Sequence, residues 1–426
     1  MTEYETEFSE FPKEWEVKRL NELAKIIMGQ SPPSSAYNDK GQGLPFIQGS
    51  KDFGDIYPSI KTFTTICKKI APKDSILFSV RAPVGDINIS DREICIGRGI
   101  AAIVPYNKTD LLYLYYYLTY SAFKIKRYSS GTTFESIKER DLKNFQITLP
   151  PLDERKKIVK ILNTVDSIII DTINLIENLK LLKEKTLNLL ITGSIWHKEF
   201  VKTDIGRFPK EWEVKRLSEI AELQRGLSYR SSEKSKDEIP DGYLFLTLNS
   251  VKEGGGLKED GWTWIKSDRL KERHFVREGD IVIANTEQSK DGSLIGSPAI
   301  VHFPEWYKKD KAVFSHHISK LLLKVSNLDV NFLFYYLSFV QPLARKYHTG
   351  TGVWGLNVDS WAKELPIPIP PLEEQKKIVE ILSTIDNKIE TETKYLDYMK
   401  KLKEKLLAAL MTGKIRVNSI AIGDLR

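Results

Sequence analysis

The residues best suited to metal chemistry in this sequence are the adjacent His316 and His317. No third ligand stands near them, so they read as loop residues beside a strand. Glu16-Val17-Lys18 and Glu213-Val214-Lys215 match half of a nuclease metal motif, but both lie inside a repeated segment of a charge-rich chain and read as scaffold. Cys67 and Cys95 fit no zinc, redox or disulfide framework, which predicts unpaired thiols and suits a reducing compartment. The chain has no Gly-x-x-x-x-Gly-Lys-Ser/Thr loop, no Gly-x-Gly-x-x-Gly after a strand, no His-Glu-x-x-His and no Gly-x-Ser-x-Gly. It also lacks the Asn/Asp-Pro-Pro-Tyr/Phe tetrapeptide of amino-methyltransferases. No catalytic residue and no metal ligand is therefore assigned, and a self-sufficient methyltransferase or nuclease has no motif to support it.

What the sequence does carry is the side-chain chemistry of nucleic-acid contact. Arg, Lys, Asn, Gln and Thr lie in Gly-rich loops with aromatics between them, suited to phosphates and base edges. In the first half the candidates are Gln48, Lys51, Arg81, Arg98, Lys126, Arg127, Tyr128, Thr132 and Thr133. In the second they are Arg225, Arg230, Asn249, Asn285, Thr286, Gln288, Lys290, His316, Arg345, Lys346, Thr349 and Thr351. The loops at Gly131 and Gly350 each follow a basic, aromatic stretch, as a phosphate-positioning element would; the alternative is an ordinary solvated turn.

These candidates are set in a duplicated chain. Phe11 to Leu20 recurs unchanged as Phe208 to Leu217, an offset of 197, whereas the stretch from Leu149 returns from Ile369 at an offset of 220. The segment between head and long stretch is thus 23 residues longer in the second copy. Both segments predict strands: Leu44–Ile47, Ser75–Val80, Ile87–Ile89 and Ile100–Val104, then Tyr243–Leu246, Asp280–Ala284 and His317–Leu323. Helical patches follow at Leu111–Leu118 and Phe332–Leu337. A repeated scaffold with dissimilar loops predicts two related surfaces that recognise different things.

Leu149 to Ile195 reads as one long helix, entered at Pro150-Pro151 and stopped at Gly193, with Pro370-Pro371 and Gly413 doing the same in the copy. Apolar residues recur every seven positions in three adjacent columns, one of them Leu162, Ile169, Ile176, Lys183 and Leu190. So broad an apolar face predicts that the copies pack on each other, through Ile158, Ile161, Leu162, Val165, Ile169, Ile176 and Leu182 against Ile378, Ile381, Leu382, Ile385, Ile389, Leu396 and Leu402. Some forty residues make a rod of roughly 60 Å. An antiparallel pair would hold a domain at each end, as a ruler does.

The expected fold is α+β: two strand-rich globular domains held apart by two long antiparallel coiled-coil helices, with an internal pseudo-twofold repeat. The divisions are a tail at 1–10, a first domain at 11–148, a helix at 149–196, a second domain at 197–368, a second helix at 369–415 and a tail at 416–426. An apolar fraction of 41% with 28% charged residues is that of a globular chain. No apolar run is long enough to span a membrane and the first residues are acidic, which predicts a soluble, cytoplasmic protein. The net charge of +7 fits a solvated surface nearly as well as a polyanion partner. Abundant Lys, Glu and Ile with few Cys and Met hint at a thermophile.

The plan resembles the specificity subunit of type I restriction-modification systems. The resemblance rests on Trp15 and Trp212 in their Phe-Pro-x-x-Trp heads, Gly29 and Gly226, the strand ending near Arg81, the Gly-Thr loops, and Pro150-Pro151-Leu152-x-Glu154 with Pro370-Pro371-Leu372-x-Glu374-Gln375. It covers nearly the whole chain. Arg155 replaces the family's commoner Gln, present at Gln375; the position reads as helix surface. The resemblance implies two target recognition domains, each reading half of a bipartite asymmetric site on double-stranded DNA, and helices that set the spacer. It also implies one copy per complex, two adenine-methylating methyltransferase subunits docked on the helices, and restriction subunits. S-adenosylmethionine, ATP and Mg would sit on those partners and no cofactor on this chain. A coiled-coil adaptor between proteins, without sequence-specific DNA binding, is the alternative.

Overall fold

The computed structural model describes residues 11–126, 136–203, 206–287, 291–351 and 353–417, without the side chains of Phe123, Lys124 and Lys126. Among the described residues four helices exceed eight residues: α1 (Leu111–Lys126), α2 (Leu152–Ile191), α3 (Val330–Val340) and α4 (Leu372–Met411). The chain divides into two compact units, and the division cuts both long helices. The first unit takes the chain up to Asn174 and from Lys394 onward; the second is Leu175–Thr393.

In the first unit a four-stranded sheet runs in the order Ala24–Met28, Ile100–Pro105, Ile76–Ser79, Ile87–Ile89. A five-stranded sheet runs Tyr37–Asn38, Thr62–Thr64, Leu44–Ile47, Ile94–Ile96, Ile70–Ala71. Strand alternation explains how the four-stranded sheet is buried on both faces. Ile76 and Phe78 point into the core shared with α1, while Leu77 points into the core shared with the second sheet. The second unit repeats this order with Ala221–Arg225, Ile318–Leu323, Ile281–Ala284, Pro298–Ile300, and with Lys234–Ser235, Thr263–Ile265, Tyr243–Leu246, Lys311–Phe314, Phe275–Arg277. Ile281 and Ile283 again part from Val282 and Ala284 onto opposite faces. Every strand and helical patch expected from sequence is present.

The repeated head is structural. Glu16–Arg19 pairs antiparallel with Gln146–Leu149, and Glu213–Arg216 with Pro366–Ile369. Leu149 and Ile369 therefore end strands instead of starting helices. The diprolines cannot supply the next ladder donors and keep the preceding residue extended, so the helices begin at Leu152 and Leu372. They end in glycines at φ +67° (Gly193) and +69° (Gly413), a conformation that favours glycine.

Where each head meets a helix, the tryptophan indole donates to a carboxylate. Trp15 Nε1 lies 3.2 Å from Glu154 Oε2, and Trp212 Nε1 lies 3.2 Å from Glu374 Oε2. The cation differs. Arg416 spans Glu154 (2.8 and 3.0 Å) and Glu14 (2.6 Å), whereas His197 spans Glu374 (2.8 Å) and Glu211 (2.5 Å).

The long helices are antiparallel within each unit. In the first, Asp166 of α2 meets Lys403 of α4, while Glu154, earlier in α2, meets Arg416 beyond the end of α4. In the second, Lys183 meets Asp386, and His197, beyond α2, meets Glu374. Ile158, Leu162, Val165, Ile176, Ile378 and Leu382 are buried, and Ile161, Ile169, Ile385, Ile389, Leu396 and Leu402 half-buried. Two expectations fail: Leu182 is 50% and Ile381 38% exposed. A seven-residue column drifts by about 20° per heptad around a helix of 3.6 residues per turn, which carries the Leu175–Leu182–Leu189 column out of the contact.

Gln375 also departs from expectation, being wholly buried (0% exposed) instead of on the helix surface. Its amide accepts from Asp329 N and donates to Asn327 and Pro370 carbonyls, at 2.7 to 2.9 Å. At the matching place Arg155 pairs with Asp110. Helical periodicity could not show this, because the covering group is the turn before α3, distant in sequence. The cysteines depart likewise: Cys67 and Cys95 form a disulfide with 5.7 Å between Cα atoms. Pairing of Ile70–Ala71 with Ile94–Ile96 brings them together. Cysteine usage then no longer argues for a reducing compartment. Among the described residues no helix is long and apolar enough to cross a membrane.

Candidate nucleic-acid interface

In the first unit the ends of both sheets converge on one edge. Gly97 N donates to Ile47 O (2.8 Å), Val80 N to Gly99 O (2.9 Å) and Ile137 N to Val80 O (3.0 Å), with a bridge between Arg81 and Ser136. Close backbone approach requires Gly29 here, since a Cβ would lie 2.1 Å from Gly97 O. The edge presents Gln48, Arg81 and Arg98; the two arginines are exposed and Lys51 follows in the next turn. Ser31, unmarked by the sequence, organises them: its hydroxyl donates to Gln48 Oε1 (3.0 Å) and accepts from Arg98 N (3.2 Å). Two residues after a required glycine was the signal available.

The second unit builds the same edge with the same backbone bonds. Ser315 N donates to Leu246 O (2.9 Å), Asn285 N to His317 O (2.8 Å) and Leu356 N to Asn285 O (2.7 Å), and Thr286 pairs with Gly355. Gly226 is required as Gly29 is, a Cβ there falling 2.1 Å from Phe314 O. His316 thus occupies the place of Arg98, Thr286 that of Arg81, and buried Thr247 that of Gln48. Thr286 Oγ1 lies 2.9 Å from His317 Nδ1, and the imidazoles of His316 and His317 lie tilted against each other, with centroids 3.9 Å apart. Burial, with His316 beside it, pushes the His317 pKa down, so the ring is held neutral at neutral pH.

Arg225, Arg230, Asn249, Lys346, Thr349 and Thr351 are exposed. Gly350 lies in a hairpin, between His348–Thr349 and Trp354–Leu356, that pairs onto Thr286–Glu287 instead of forming a plain turn. Arg345 is exposed, but its Nε is engaged by Gly292 O at 3.2 Å. Asn285 corrects an expectation. It is 3% exposed, and its amide donates inward to Ser319 Oγ (2.9 Å), because its place in the backbone frame turns the side chain into the domain. Arg127, Tyr128, Thr132, Thr133, Gln288 and Lys290 lie outside the described residues, as does the side chain of Lys126. No His/Cys/Asp/Glu cluster among the described residues could hold a metal.

Arginines offer planar forks to guanine edges and phosphates; histidine and threonine offer smaller contacts. The edges therefore present different side-chain chemistry on one frame. Residues 12–181 and 209–400 match the family model described as type I restriction modification DNA specificity domain. The chain belongs to this family. It is 29% identical over 420 residues to the MjaVIII type I specificity subunit of Methanocaldococcus jannaschii, covering 96% of this chain and 95% of that one. It is 45% identical over 193 residues to the MjaX specificity subunit of the same organism, an alignment spanning 45% of each chain. In fold it matches the crystal structure of the type I S subunit from M. genitalium, with a TM-score of 0.56 at 17% identity over 93% of this chain and 96% of that one. This specificity subunit recognises DNA sequence and is non-catalytic; in type I systems separate subunits carry the catalysis.

Proposed function

We propose that each unit of this specificity subunit reads one half of a bipartite, asymmetric DNA site, and that the α2–α4 pair sets the spacer between the halves. The observation that carries the reading is the shared backbone frame with unlike side chains: Gln48, Arg81 and Arg98 in one unit, Thr247, Thr286 and His316 in the other. Lysine and arginine contacts to phosphates hold register and make affinity fall with salt, while the edge side chains discriminate bases. The helices offer a platform for two methyltransferase subunits, which bring S-adenosylmethionine and methylate flipped adenines. Restriction subunits join through them with ATP and Mg, and one copy of this chain serves each complex.

Co-expression with the methyltransferase encoded beside it, followed by methylome sequencing, tests the reading. A bipartite motif with unlike halves and one spacer length is expected; methylation without such a motif overturns it. Deleting one heptad from both α2 and α4 changes the spacer and leaves the half-sites intact. Altered half-sites with an unaltered spacer would remove the helices from the spacer role.

A further inference from the structure

Each unit contains a lysine, an aspartate and a tyrosine joined across three elements. In the first, Asp166 of α2 is buried; its Oδ1 meets Lys403 Nζ of α4 at 2.6 Å, and its Oδ2 accepts from the Tyr116 hydroxyl of α1 at 2.7 Å. In the second, Asp386 of α4 meets Lys183 Nζ of α2 at 2.6 Å and accepts from the Tyr335 hydroxyl of α3 at 2.9 Å. Lys183 and Lys403 are related by the 220-residue offset of the helices, as are Asp166 and Asp386. Burial and the adjacent carboxylate push both tyrosine pKa values far up, so each hydroxyl remains a donor.

The lysines interrupt an otherwise apolar column, standing where Ile169, Ile176 and Leu190 stand in α2 and where Ile389, Leu396 and Leu410 stand in α4. Apolar contacts in a helix pair tolerate a slip of register, since one aliphatic side chain replaces another. A lysine in such a column does not: a slip places its ammonium in the apolar seam, away from its carboxylate. The tyrosine adds the strand-rich domain to the same point, because α1 and α3 belong to the domains and not to the long pair.

We propose that the two Lys–Asp–Tyr triads are positioning groups that fix the register of α2 against α4 and the seat of each recognition domain on the pair, and thereby fix the spacer length the subunit accepts. The proposal rests on the bipartite reading above. Stability alone does not explain the pattern, since ion pairs whose lysines stay partly exposed to water contribute little net stability.

The test uses the full chain co-expressed with its methyltransferase, reading spacer lengths in the methylome. Lys403→Met and Asp166→Asn, and separately Tyr116→Phe, raise methylation at sites one base pair away from the wild-type spacer. A rise of about tenfold corresponds to a coupling of about 1.4 kcal/mol. The half-site sequences stay the same. Tyr116→Phe removes one hydroxyl and keeps the ring in the core, so it reports on positioning should the charge variants fail to fold. An unchanged spacer distribution in Tyr116→Phe and in the folded charge variants, beside a bipartite wild-type motif, overturns this inference alone. Absence of a bipartite motif in the wild type overturns both it and the reading on which it rests.

Discussion

The two head–helix junctions hold the same tryptophan and the same carboxylate, yet one is closed by an arginine and the other by a histidine. Beside them, Arg155 with Asp110 does in one unit what Gln375 with backbone groups does in the other. The sheet edges follow the same pattern, with Arg98 exchanged for His316 on an unchanged backbone frame. Duplication has preserved acceptor positions and close backbone approaches, which fix geometry, and has let the groups that fill them diverge. Exchange is tolerated where a hydrogen-bonding place can be filled by several side chains, and not where close backbone approach leaves room only for glycine.

The largest test of that contrast is removal of the shared acceptor. Glu154→Ala strips the Trp15 indole of its acceptor and leaves Arg416 with Glu14 only, at a buried place, and should cost about 3 kcal/mol in urea unfolding. Glu374→Ala, less buried, should cost less; equal losses would show that the junctions are energetically alike despite their cations. Second, Arg98→Ala should weaken binding at the first half-site by about 1–3 kcal/mol and flatten the salt dependence, while His316→Ala affects the second half-site only. Titrations of the assembled complex on DNA with each half-site scrambled separate the two. Third, Gln375→Ala should cost about 2 kcal/mol by leaving one amide and two carbonyls unpaired. Arg155→Gln in the other unit should cost less than Gln375→Ala if a glutamine there can reach the same backbone groups, which the same unfolding measurement reads.

The smallest effect is on pH. Burial opposes charge on His197, but Glu374 and Glu211 outweigh it and its pKa is raised. Its contribution is therefore fully present below the ordinary histidine pKa and is lost as pH rises through the raised value. Thermal unfolding of the second unit should fall slightly from pH 6 to 9, and His197→Arg should abolish the trend. A trend that survives this substitution would assign it to another group.

Much of this was legible in one dimension. The strands Leu44–Ile47 and Ile281–Ala284, the helix stops at Gly193 and Gly413, and the plan of head, variable segment and helix follow from repeats, turn residues and periodicity, all carried by local chemistry. Gln375 was not legible, because its helical position looks exposed until the turn at Asp329 covers it. Nor were Asn285, turned inward by its place in the backbone frame, or the Cys67–Cys95 disulfide, which depends on two strands meeting. Leu182 shows the same limit from the other side: its column is apolar, but helical drift decides that it faces outward.

By itself, then, the sequence determined the duplication, the fold class and the family, since each is written in motifs and spacing that local physics interprets. Only the tertiary structure decided which polar residues share an edge, that Ser31 organises Gln48 and Arg98, and that Lys183 and Lys403 find Asp386 and Asp166. Those pairings join residues far apart in the chain, and hydrogen bonds a few ångströms long are set by packing, which no local pattern encodes.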